Sequence, residues 1–150
     1  MRKSLFVALV MLVAALGTQY GASQDKKTTD RTLNVKLHYT GAGTVDEKHP
    51  VRVFLFDSPD FVRGNGMPFA MQSATSKNGT VTFSDTGKSP VYLSAVYDPS
   101  GGYDGQSGPP PSGASLGLYS KTPGEPAPVA IDAGANVTID LTFDDTVKMP

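Results

Sequence analysis

The 150-residue sequence predicts an all-β fold, a single antiparallel β-sandwich of seven or eight strands preceded by a signal-peptide helix. Three observations carry that expectation. Apolar residues alternate with polar ones at Leu33, Val35, Leu37 and Tyr39 and again at Val137, Ile139, Leu141 and Phe143, the period of a half-buried strand. Past the first 23 residues no stretch repeats its apolar residues at helical spacing. Glycine, proline, asparagine and aspartate clusters separate the alternating runs at the intervals expected of a sandwich.

The elements follow in order. Arg2 and Lys3, the apolar run Leu5 to Leu16, and small residues through Ser23 read as a secretory signal, with cleavage after Gly17 or after Ser23. The apolar run is shorter than the roughly 20 residues of a spanning helix, so removal is expected over retention as an anchor. Residues 24–31 are a polar leader, 32–145 the sandwich, and 146–150 a tail. Val51 to Phe56 forms a second strand, ended by Asp57-Ser58-Pro59-Asp60, with Gly64-Asn65-Gly66 marking a mobile loop after it. Phe69 to Thr75 is a third strand. Asn78-Gly79 predicts a tight hairpin into Thr80 to Ser84, because both residues tolerate positive φ. Val91 to Tyr97 carries apolar residues on both faces and is expected at the centre of a sheet. Val129 to Ile131 predicts a short strand, the turn 132–135 follows, and 137–143 closes the fold. Antiparallel pairing follows from the short connections, since parallel neighbours need long crossovers.

The segment 98–128 holds 7 of the 16 glycines and 7 of the 12 prolines. A loop that long in a compact domain is either a site or slack, and Leu116, Leu118 and Tyr119 are expected to pin it.

Composition excludes several function classes. The chain has no cysteine, which removes thiol catalysis, cysteine metal sites, a lipid-modified terminal cysteine and a disulfide-stapled fold. Export would leave 127 residues, enough for one domain, and a mildly acidic charge with no basic patch for nucleic acid. The expected location is the periplasm or the medium, with no membrane association after signal cleavage.

Three stretches carry a resemblance. His49-Pro-Val-Arg-Val-Phe-Leu-Phe-Asp57, Thr75-Ser-Lys-Asn-Gly79-Thr-Val-Thr-Phe83 and Val91-Tyr-Leu-Ser-Ala-Val-Tyr97 resemble carboxypeptidase-regulatory-like domains, the transthyretin-like or prealbumin-like sandwiches of many exported bacterial proteins. The chain departs from them at Pro90, where the family often has glycine. Asp98 to Gln106 is also similar to the aspartate-led loop of small exported bacterial domains of unknown function, but Ser100 and Gly102 stand where asparagines are expected. The resemblance implies a fold and an exported binding or structural module, with an unknown protein or a glycan of the cell envelope as partner.

Candidate site residues are few. Asp98, Ser100 and Asp104 offer oxygens to calcium, although the glycine and bidentate glutamate of a calcium loop are missing and turn chemistry explains the same residues. Asp98, Tyr103, Asp104 and Tyr119 form a candidate ligand set, and Tyr92 and Tyr97 would extend it to a sugar-stacking platform. Phe54, Phe56 and Phe61 offer an apolar patch for a partner, which vanishes if the second strand is covered on both faces. His38 and His49 show no metal-ligand spacing, and Ser107, Ser112 and Ser115 no histidine partner. No catalytic residue is assigned, and no cofactor is expected, with calcium as the alternative. An uncharacterised hydrolase on a transthyretin-like fold is the remaining alternative, but the chain ends Val147-Lys-Met-Pro150 rather than in the Tyr-Arg-Gly-Ser tail of the purine-pathway hydrolases.

Overall fold

The structure is a computed structural model that describes residues 30–150. The signal and residues 24–29 of the leader lie outside that range. Strands make up most of the regular structure, and the fold is an all-β sandwich. Its elements are β1 (Thr32–Tyr39), β2 (Val51–Phe56), β3 (Ala70–Ala74), β4 (Thr80–Phe83), β5 (Tyr92–Tyr97), β6 (Ser115–Leu118), β7 (Ser120–Thr122), β8 (Glu125–Pro126) and β9 (Asn136–Phe143). One sheet has the order β4-β1-β9 and the other β3-β2-β5-β6, while β7 and β8 pair with each other. Among the described residues no helix is long and apolar enough to cross a membrane.

The alternation places each strand. Leu33, Val35, Leu37 and Tyr39 on β1 face Val51, Val53 and Leu55 on β2 and Leu93, Ala95 and Tyr97 on β5, and all are buried in one core. Ile139, Leu141 and Phe143 complete it, so β9 turns its apolar face inward as its period requires. Tyr39 binds the layers together at one end, its ring 4.7 Å from Tyr97 and 4.9 Å from Phe143 between centroids. β5 lies inside its sheet, between β2 and β6.

Three expectations are corrected. Five of the strand pairings are antiparallel, but β1 and β9 run parallel from Thr32↔Asn136 to Tyr39↔Phe143. Short connections constrain only strands adjacent in sequence, and nearly the whole domain separates these two, so no crossover limit applies. Asn78-Gly79 does not make a hairpin. β3 pairs with β2 and β4 with β1, so residues 75–79 carry the chain from one sheet to the other, and neither Asn78 nor Gly79 takes a positive φ. Val81 and Phe83 turn inward beside Val35 and Leu33 of β1 in the buried core, and the Lys77 and Gly79 carbonyls extend that ladder by accepting from Tyr39 and Leu37. Val129 to Ile131 is not a strand but a single bridge, Val129 exchanging both backbone hydrogen bonds with Val91, although Val129 and Ile131 are buried as the alternation required.

The loop after β2 opens with a 3₁₀ turn, Pro59–Arg63. The Ser58 hydroxyl accepts from the Asp60 amide, Pro59 enters where no N–H is needed, and Gly64 ends the turn at φ 78°. The tail is also structured. Leu116 donates to the Val147 carbonyl, Met149 to Ala114 and Gly113 to Met149, so Val147 to Met149 lies along β6 as an added edge.

Candidate functional site

β2 and β5 carry apolar residues on both faces, and the outward set forms a second cluster. Phe54, Phe56, Val96 and Ala114 are buried in it, with Phe61, Met71, Tyr92, Tyr103, Leu116 and Met149 packed around them. The 3₁₀ turn lays Phe61 flat on Phe56 at 4.0 Å between centroids and 9° between planes. At the other end the long loop folds over the same face. Tyr103 sits 6.3 Å from Phe54, and Arg52, extending from β2, donates through Nε to the Tyr103 carbonyl at 2.7 Å. Gly105 passes so close that a Cβ there would fall 2.3 Å from the Met71 sulfur.

Between these walls lies a groove of about 1360 Å³. Its floor is Phe54, Ser94, Val96 and Leu116, and its rims are the 3₁₀ turn, residues 66–68, the 105–110 loop and the tail. The large apolar residues exposed among the described residues, Val62 at 49%, Met67 at 79% and Val147 at 58%, all lie on this groove. So do Met67, Met71 and Met149, flexible side chains that conform to varied apolar shapes. Among the described residues no lysine, arginine or histidine lines it, and the one acidic residue that does is Asp144.

The predicted site residues do not converge. Asp98 is 6% exposed and spends its carboxylate on a turn: it accepts from the Ser100 amide and hydroxyl at 2.8 Å and from the Tyr103 amide at 2.9 Å. Burial opposes its ionisation, but these donors outweigh it and hold the carboxyl below its ordinary range. Asp104 closes the next turn, held at a pKa of about 2 by the Ser107 hydroxyl and then by the Gln106 and Ser107 amides. The Asp98, Ser100 and Asp104 oxygens suggested for calcium are thus engaged within their own turns, and the described residues contain no group of three or more histidines and carboxylates placed for a metal. Tyr119 packs against the inner core and Tyr103 against the outer cluster, on opposite sides of the sheet. Tyr97 is buried with its hydroxyl donating to the Thr44 carbonyl, so a shared tyrosine platform does not form. Phe54 and Phe56 are covered, which turns the proposed surface patch into the floor of a groove.

The chain matches no family model, curated protein or solved structure. Its histidines make surface pairs: His38 with Asp140 at 3.0 Å and Asn78 at 3.2 Å, and His49 with Asp46 at 2.9 Å. Sequence reasoning missed Asp145. This carboxylate accepts from the Tyr39 hydroxyl at 2.5 Å, the Ser115 hydroxyl at 2.6 Å and the Ala42 amide at 2.9 Å. The Ser115 and Tyr39 donors hold it at about 2, while burial and then Asp145 push Tyr39 up to about 12. It joins β1, β6 and the 41–43 loop. The Val147-Lys-Met149 alternation is the local signal in the sequence that the tail continues the sheet.

Proposed function

We propose that the protein is an exported, non-catalytic binding module of the carboxypeptidase-regulatory-like type, and that its outer groove seats an apolar segment of another polypeptide. One observation carries the reading: the exposed large apolar side chains of the described residues gather on a single groove whose floor is aromatic and aliphatic. The family assignment is supported by its three stretches, which contribute β2, β4 and β5 to the two facing sheets.

Charge and area select the occupant. An anionic lipid or fatty acid would find no cation on the lining among the described residues, whereas a neutral segment meets none of that mismatch and a basic flank can face Asp144. A second copy is a poor fit, because a four-stranded face of this length spans about 250 Å², against about 800 Å² per partner in a stable interface. The rims would also hold a flat surface off the floor. A slender chain reaches it.

Binding is measured with a tryptophan-bearing apolar peptide, since the protein has no tryptophan and the probe reports without background. Substituting Val62→Asp and Met67→Asp together is expected to weaken binding at least tenfold, about 1.4 kcal/mol, with the melting temperature unchanged because both residues are exposed. Unaltered affinity, or palmitate binding more tightly than the peptide, contradicts the proposal.

A further inference from the structure

The groove reading leaves open how the occupant's backbone is held, and the edges of the second sheet answer it. One edge, β6, is filled by the chain itself. Val147 and Met149 place their side chains on the outer apolar face while Lys148, between them, stays exposed. The tail is thus a worked example of what this sheet accepts at an edge: an extended strand whose alternate residues are apolar.

The opposite edge, β3, has no strand beyond it among the described residues. Its sequence, Ala-Met-Gln-Ser-Ala, carries no charge, no proline and no register shift, so it lacks three of the devices that keep an edge from pairing. β3 also belongs to the groove, because Ala70 and Met71 line it. In the register with β2, Met71 stands beside Phe54 on the outer face. A strand added to β3 would turn every second side chain to the outer face that Met71 occupies, and the one opposite Met71 would enter the groove.

We infer that the occupant binds by strand addition to β3, as an extended peptide with apolar residues at alternate positions. The inference rests on the groove reading and adds to it a backbone ladder and a periodicity of two. An aliphatic chain or a helix would use the floor without using the edge.

The test uses the peptide Ac-Lys-Val-Thr-Met-Thr-Trp-Lys-amide and two derivatives in which alternate backbone nitrogens are methylated, one derivative for each edge of the peptide. Side chains are the same in all three. The parent peptide should bind, one derivative should bind at least tenfold more weakly and the other within about threefold of the parent. Amide hydrogen exchange should slow at residues 70–74 when the parent binds. If the parent binds, both derivatives match it and exchange at β3 is unaltered, strand addition is overturned while the groove reading stands. If the parent itself does not bind, both are overturned.

Discussion

Asp145 shows how a single carboxylate can hold the end of a sandwich. Its partners Tyr39 and Ser115 lie 106 and 30 residues away in the chain, so nothing local distinguished it from Asp144. Asp98 differs in this respect: its turn partners Ser100 and Tyr103 follow within five residues, and its turn role was legible from the sequence as one of two readings. Asp145 is held near 2 when folded against about 3.9 unfolded, so its contribution is fully present above pH 4 and is lost as pH falls through 2. We predict that Asp145→Asn lowers stability at pH 7 by about 1 to 2 kcal/mol, discounted for partial exposure. The decline in melting temperature between pH 4 and 2 should be shallower in the variant than in the parent. Gly43 is a second residue whose neighbour is remote, since a Cβ there would fall 2.3 Å from the Tyr97 ring. Nothing in the sequence pairs the two.

At the scale of elements, what was legible was the facing of each strand, and what was not was its partner. A period of two states which residues go inward, and it did so for β1, β2, β5 and β9; it carries no information about which strand lies alongside. That is why the turn residues point β4 to β3 when its partner is β1, and why no pattern in the sequence marks the parallel β1–β9 pair. β6 illustrates the packing that pairing creates. Gly117 lies against Phe143 of the facing sheet, and a Cβ there would sit 2.6 Å from the ring, so Gly117→Ala is expected to cost about 1 to 3 kcal/mol, read as a lowered urea midpoint. The tail offers a complementary test. Met149 is half-buried in the outer cluster, and Met149→Ala should cost about 1 to 2 kcal/mol, while Lys148→Ala, exposed and one residue away, should leave the midpoint in place. Equal effects of the two would mean that the tail does not pack as a strand.

At the scale of the molecule, one sheet faces water with polar residues and the other is apolar on both sides. The first sheet's outer face is Asn34, Lys36, His38, Thr138 and Asp140, knit by bonds such as Thr82 to Asn34 at 2.7 Å and His38 to Asp140 at 3.0 Å. The second sheet's outer face is covered at both ends and open in the middle, and the coverings come from the segments that strand periodicity does not describe. The double-sided pattern of β2 and β5 was readable, and the candidate patch Phe54, Phe56 and Phe61 does gather in space. The walls were not readable, because they depend on Arg52 holding the Tyr103 carbonyl and on Phe61 returning over Phe56. The long glycine and proline segment is therefore not slack: residues 98–114 build a wall, and β6 completes the floor. The central claim is that binding belongs to this face, and the most direct measurement is a map of backbone amide shifts during titration with the tryptophan-bearing peptide. The account predicts saturable shifts at Phe54, Phe61, Met67, Met71 and Ser94, with residues 34–38 and 138–140 unmoved; shifts concentrated on that polar sheet instead, or none at all, would contradict it.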